Sequence, residues 1–207
     1  MRVVIAGGHG KIALRLARLL AARGDEPVGI VRNPDHVDDL AAAGAQAVVL
    51  DLEHASVDQV AEVLAGADAV VFAAGAGPGS GAARKDTVDH AAAVLVADDA
   101  GRAGVRRHVQ ISAMGLDRAE DPGIDEVFGA YLRAKAAAEE DLRARTNLDW
   151  TILRPGRLTD EPATGQVRVA ESLPGGSVSR EWVAATVVLL LDRSDDVGRT
   201  LEIVSAS

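Results

Sequence analysis

Residues 3–13 read Val3-Val4-Ile5-Ala6-Gly7-Gly8-His9-Gly10-Lys11-Ile12-Ala13. Four apolar residues form a strand, and the glycines after it make a turn that opens a helix. Glycine lets the backbone come close to a phosphate, and the first helical turn leaves N–H groups free at the favourable end of the dipole. The spacing is G-x-x-G-x-x-A, with Gly7, Gly10 and Ala13 in the three positions of a pyrophosphate turn. Gly7, Gly8, His9, Gly10, Lys11 and Ile12 are therefore the residues expected around a dinucleotide pyrophosphate.

The next strand, Val28-Gly29-Ile30-Val31, ends in Arg32. That position, about twenty residues past the turn, reads the adenosine ribose. An acidic residue there accepts the 2′-hydroxyl of NAD, whereas a guanidinium pairs with the 2′-phosphate of NADP. Arg32 thus favours NADP(H) over NAD(H). The alternative is a solvated arginine at the start of a helix, which Asn33-Pro34 is suited to begin.

Strand-like and helix-like segments alternate along the rest of the chain. Strands are predicted near 2–6, 27–31, 46–50, 68–73, 106–111, 149–154 and 200–204, and helices near 11–23, 34–43, 56–64, 83–103, 126–145 and 179–192. Gly24 and Gly44 fall just past helix ends, where a left-handed residue is favoured. The alternation predicts an α/β fold of Rossmann type, a doubly wound parallel sheet of about seven strands with helices on both faces. The expected strand order is 3-2-1-4-5-6 with the seventh at the edge, so ligands would sit at the carboxyl ends of strands one and four. The stretch 74–81, rich in Gly, Ala and Ser, is expected to cover the cofactor or to serve as a plain linker.

The 207 residues fit one domain, 1–207, with a small substrate-side region formed by 116–128 and 157–178. A net charge of −9 without a basic run argues against nucleic acid. The chain has no cysteine, which excludes disulfides and thiolate chemistry, and its five histidines lack ligand spacing, so no metal is expected. A strand begins at the second residue with no leader before it, and the apolar runs are too short to span a bilayer. The expectation is a cytoplasmic protein without membrane contact, a monomer or homodimer acting on a small molecule.

Chemistry enters at Ser112, which ends the fifth strand, and at Tyr131-Leu132-Arg133-Ala134-Lys135 on the helix after it. A spacing of four puts Tyr131 and Lys135 on one face. A phenol of ordinary pKa about 10 acts near neutrality only if its anion is stabilised, and a neighbouring ammonium does so. Lys135 can also hold the nicotinamide ribose, and Ser112 the reacting oxygen. The alternative leaves Tyr131 as packing and Lys135 as a ribose ligand only.

In these residues the chain resembles the short-chain dehydrogenase/reductases, and more closely their atypical NAD(P)H-binding branch of epimerase-like and flavin-reductase-like proteins. The resemblance implies that Asp51 and Leu52 flank the adenine and that Ala73, Ala74 and Gly75 line the ribose and pyrophosphate. It also implies that Pro155 and Gly156 pass near the nicotinamide, and that Asp89 stands where many relatives carry the asparagine of a catalytic tetrad. Two departures are visible: Ala13 replaces the last glycine of the turn, and Trp182 occupies a position where relatives commonly have an aspartate. Many members of the branch lack the full tetrad.

Three functions follow as expectations. The first is an NADP(H)-dependent oxidoreductase in which Ser112, Tyr131 and Lys135 serve hydride transfer to or from a small carbonyl or alcohol, with Asp89 in a proton relay. The second is a sugar epimerase or dehydratase, disfavoured because only about fifty residues follow Arg154. The third is a non-enzymatic NADP(H) sensor, for which a tuned phenol would have no use. The segment 116–128 is expected to form a lid or an exposed loop.

Overall fold

The computed structural model describes residues 1–77 and 79–206. Pro78, within the predicted cover, and Ser207, the last residue of the predicted domain, lie outside the described residues. The elements run β1 (Arg2–Ala6), α1 (Lys11–Arg23), β2 (Glu26–Val31), α2 (Val37–Ala42), β3 (Gln46–Val49), α3 (Val57–Leu64) and β4 (Ala69–Phe72). They continue through α4 (Ala82–Arg84), a π-helical segment (Lys85–Ala91), α5 (Ala92–Arg102), β5 (Arg107–Ile111) and α6 (Glu126–Arg143). The last part contains β6 (Asp149–Pro155), β7 (Arg157–Thr159), β8 (Val167–Ala170), β9 (Ser177–Ser179), α7 (Arg180–Asp192) and β10 (Arg199–Ser205).

The main sheet has eight strands in the order β3-β2-β1-β4-β5-β6-β10-β8. Every pairing is parallel except that of β8 with β10. The doubly wound α/β expectation holds, with one correction at the edge. The predicted seventh strand, β10, lies one place inward, and the antiparallel β8 covers it. β8 comes from the substrate-side stretch 157–178, and its Val167-Arg168-Val169-Ala170 is too short and too exposed to signal a buried strand. The strands β7 and β9 of the same stretch pair with each other in a separate parallel ribbon.

Successive strand residues point to opposite faces, and the core divides accordingly. Val3 and Ile5 of β1 pack with Leu16 and Leu20 of α1 and with Val183 and Val187 of α7. Val4 and Ala6 pack on the other face with Val60 of α3, Val96 of α5 and Leu142 of α6. Because each central strand is buried on both sides, its sequence is apolar without alternation.

Helix ends follow local chemistry. Gly24 closes α1 at φ 88°, and Ser56 with Gln59 forms a reciprocal capping box on α3. Asp125 caps α6 by accepting from the Phe128 amide at 2.9 Å, which fixes the register of the helix that carries Tyr131 and Lys135. One predicted helix, 83–103, is interrupted: its first half is π-helical over Lys85–Ala91. Such widened turns are rare and gather at functional sites.

Candidate active site

The turn after β1 is squeezed between two neighbours. A Cβ on Gly7 would lie 2.6 Å from the Ala74 Cα, with φ at +80°, and one on Gly8 would lie 2.7 Å from the Gly29 Cα. Neither position accepts a side chain without moving backbone. The Gly8 amide donates to Ile30 O at 2.8 Å and the Gly10 amide to Gly7 O at 2.9 Å, so these two hold the turn's shape. Leu14 donates the first bond of α1, to Gly10 O at 2.9 Å. The amides of Lys11, Ile12 and Ala13 precede it and are the donors a helix start offers to an anion. The Lys11 side chain leaves the turn for Asp160, at 2.7 Å.

Gly7, His9 and Gly10 line a cavity of about 310 Å³ at the carboxyl ends of β1, β2 and β4. Arg32, Asp51, Leu52, Ala73, Ala74 and Gly75 complete the walls expected for the adenosine half. Gly8 does not line it. At its far end Arg32 donates to Glu53 Oε2 at 3.3 Å, while Arg84 also pairs with Glu53 and Thr87 donates to Glu53 Oε1 at 2.7 Å. The Arg84 hydrogen bond, more than any other contact, holds the Glu53 carboxyl below its ordinary range. His9 stacks on His36, ring centroids 3.5 Å apart, and contacts Asp39 Oδ2 at 2.7 Å.

A second cavity, of about 480 Å³, shares Ala73, Ala74 and Gly75 with the first and is also lined by Ile12. It brings together all four predicted catalytic residues: Ser112, Tyr131, Lys135 and Asp89. Ser112 is buried, and its Oγ has no hydrogen-bond partner among the described residues. Lys135 and Asp89 are likewise buried, with Nζ 3.1 Å from Oδ1. Lys135 also donates to Ala74 O at 3.2 Å and Ile111 O at 3.4 Å, and Asp89 Oδ2 accepts from the Ala76 amide at 3.1 Å.

This arrangement corrects the expected role of Lys135 as the cation that activates Tyr131. Its charge is matched by Asp89, and its Nζ stands 6.0 Å from the centre of the Tyr131 ring. The phenol is pushed up to about 12, by burial first and by the Asp89 carboxylate second. Desolvation disfavours the phenolate, and Lys135, matched by Asp89, does not offset it.

Pro155 and Gly156 line a third cavity, of about 810 Å³, rather than the second. The second and third cavities share Ser112, Phe128, Tyr131 and Leu158, so Pro155 and Gly156 stand on the far side of these shared residues from Lys135 and Asp89. A Cβ on Gly156 would lie 2.4 Å from Gly176 O, so this glycine allows the close passage of two chain segments. Within 116–128, Leu116 and Ala119 are buried against Leu132, and Phe128 stacks on Tyr131 at 6.0 Å between ring centroids. Trp182 lies outside all three cavities: it packs on the core and donates from Nε1 to Thr164 O at 3.3 Å.

Sequence reasoning missed Glu53, Arg84 and Lys85. Lys85 and Asp89 stand four apart in the predicted helix 83–103, a spacing that places both on one face. Glu53 had no such signal, since its partners come from two other segments, Arg32 after β2 and Arg84 with Thr87 in the helical stretch after β4.

The residues present fit a dinucleotide: a glycine cradle that any Cβ would fill, free amides at a helix start, and an orphaned hydroxyl beside a phenol. Fold and site together define an NAD(P)-binding Rossmann protein. The sequence profile of the NAD(P)H-binding family matches residues 7–194, and the chain belongs to that family. It is 35% identical over 204 residues to YhfK of Bacillus subtilis, named as an uncharacterized sugar epimerase, covering 98% of this chain and 94% of that one. A solved Bacillus halodurans structure, described as a candidate NAD-dependent epimerase/dehydratase, superposes with a TM-score of 0.90 at 35% identity, covering 100% and 95% of the two chains. ChuY, an anaerobillin reductase of Escherichia coli, superposes with a TM-score of 0.83 at 26% identity over 100% and 98%. No helix of the described residues is long and apolar enough to cross a membrane, and no group of His, Asp and Glu among them could hold a metal.

Proposed function

We propose that this protein is an NADP(H)-dependent oxidoreductase that reduces a small carbonyl compound. The observation that carries the reading is the buried, partnerless Ser112 Oγ in the same cavity as Tyr131. A buried hydroxyl without a partner is costly unless something else satisfies it. A substrate oxygen held between Ser112 and Tyr131 would do so. NADPH supplies the hydride when bound.

In this scheme Ser112 donates to the carbonyl oxygen and fixes its position. Tyr131 gives its proton to that oxygen as the carbon gains the hydride, so the product is the alcohol and the phenolate is reprotonated from solvent. A phenol pushed up to about 12 is held in its protonated form, the form a general acid needs. Lys135 holds the nicotinamide ribose, and Asp89 keeps its ammonium in place. Asp89 also receives the Ala76 amide, which ties the loop after β4 to the site.

The preference for NADP(H) rests on Arg32, with Arg84 beside it at the adenosine end. Glu53 opposes it, because a carboxylate there repels a 2′-phosphate and accepts a 2′-hydroxyl. Binding of NADPH requires the two guanidiniums to turn from Glu53 to the phosphate.

The test is consumption of NADPH across a panel of carbonyls, quinones and flavins by the wild-type protein and by Tyr131→Phe. Loss of at least two orders of magnitude in kcat/KM is expected for the variant. Undiminished turnover would refute the assignment. A second reading, a sugar epimerase, is favoured by the name of YhfK. It predicts interconversion of nucleotide sugars without net consumption of the dinucleotide.

A further inference from the structure

The catalytic cavity holds a second buried lysine. Lys85, the first residue of the π-helical segment, is 8% exposed, and its Nζ donates to Gly77 O at 2.8 Å. The same Nζ stands 5.6 Å from the centre of the Tyr131 ring. No carboxylate of the described residues forms an ion pair with it, whereas Lys135 has Asp89 at 3.1 Å. The other carboxylate at this cavity, Asp125, is exposed at its rim and accepts from the Phe128 amide as the cap of α6.

Among the enclosed groups the charges therefore do not cancel. Two ammonium groups and one enclosed carboxylate leave an excess positive charge beside Tyr131, in a protein whose net charge is −9. Among the described residues this buried ammonium has one carbonyl partner, which leaves two donors for a ligand. Desolvating such a group is costly unless an anion meets it. Ile12, Val127, Phe128 and Leu158 give the surrounding walls no further cation, which suits a group of single charge better than a phosphate.

We infer that Lys85 is the anion receptor of this site and that the substrate is an oxo acid, its carboxylate held by Lys85 close to the carbonyl held by Ser112 and Tyr131. The inference rests on the reductase reading for the carbonyl and on Lys85 alone for the carboxylate. The short distance from Lys85 to the Tyr131 ring places the two groups within a few bonds of each other. The third cavity, continuous past Phe128 and Leu158, takes the remainder of the molecule.

The experiment is calorimetric titration of the nucleotide-loaded protein with two matched pairs, pyruvate with methyl pyruvate and phenylglyoxylate with methyl phenylglyoxylate. Reduction of each compound is followed separately by nucleotide absorbance. In the wild type the acid of at least one pair should bind tenfold or more tightly than its ester. Lys85→Met, which keeps the packed stem, should abolish that preference without changing the Kd for NADPH, and Lys85→Arg should retain it.

Equal binding of acid and ester in both pairs would overturn the inference, as would an acid preference that survives in Lys85→Met. A weakened NADPH Kd in Lys85→Met would assign Lys85 to the cofactor instead. Acid preference without reduction would count against the reductase reading and leave the anion site standing; reduction without acid preference would do the reverse.

Discussion

Lys135 and Asp89 form a buried ion pair, Nζ to Oδ1 3.1 Å, that joins α6 to the π-helical segment at the wall of the second cavity. Two backbone carbonyls, Ala74 O and Ile111 O, take further donors of the ammonium. The pair thus anchors the loop after β4, the end of β5 and two helices at one point. Removing one partner leaves the other buried and unmatched, which typically costs 3–5 kcal/mol.

Asp89→Asn is expected to lower the unfolding free energy by about 3 kcal/mol, at the lower end of that range because the two carbonyls remain. Lys135→Met should cost a similar amount. The double variant should be less destabilised than the sum of the two, since the second change removes no further ion pair. Denaturant titrations with unchanged slopes check all three. Additive losses would mean that the pair is not energetically coupled.

Tyr131 is the only tyrosine in the chain, so phenolate absorbance reports it without interference. Its midpoint without added nucleotide is expected near 12. Asp89→Asn, which removes the second cause of the rise, should lower the midpoint while burial keeps it above the ordinary value of about 10. The linkage has a definite sign. A phenol whose folded pKa is raised stabilises the fold fully below about pH 10, and that contribution is lost as pH rises towards 12. A midpoint near 10 in the wild type would contradict the burial of the ring.

Legibility differed along the chain for physical reasons. The order of β1 to β6 was readable because buried parallel strands are apolar runs, and glycine marks the turn that no other residue can make. Ser112, Tyr131 and Lys135 were readable as a set because a residue ending β5 and a pair on the following helix come to one end of the sheet, whereas Asp89 was marked only by the family resemblance. What the residues do to one another was not. The charge of Lys135 is spent on Asp89 rather than on Tyr131, and that depends on a π-helical turn for which Lys85–Ala91 carries no sequence mark. Strand β8 was hidden because an exposed edge strand needs neither an apolar run nor alternation. Glu53 acts through Arg32, Arg84 and Thr87, which meet only in the folded chain.

Cofactor choice should be movable at Glu53. Glu53→Gln removes the carboxylate that holds Arg32 and Arg84 and that repels a 2′-phosphate. The expected result is an increase of about tenfold in the ratio of NADPH to NADH affinity, corresponding to about 1.4 kcal/mol. Arg32→Ala should move the ratio the other way, mainly by weakening NADPH. Fluorescence titration of both nucleotides checks each variant, and an unchanged ratio in Arg32→Ala would remove Arg32 from the 2′-phosphate site.

Acid stability should be governed in part by His108, which lines none of the three cavities. Its ring lies on β5, fully buried, with neither nitrogen hydrogen-bonded among the described residues. Burial first, and then the Arg145 and Arg107 charges, push its pKa down to about 3. The unfolded chain therefore binds a proton at about pH 6.5 that the folded chain refuses until near pH 3. Stability is full above pH 6.5 and falls on acidification, by up to about 1.4 kcal/mol per pH unit from this residue. Between about pH 6.5 and 5 ordinary carboxylates stay ionised, so the slope there isolates histidine titration. His108→Leu should flatten it, as measured by denaturant unfolding at several pH values. An equal slope in the variant would show that His108 takes up a proton in the folded protein, and that the strand opens to let it.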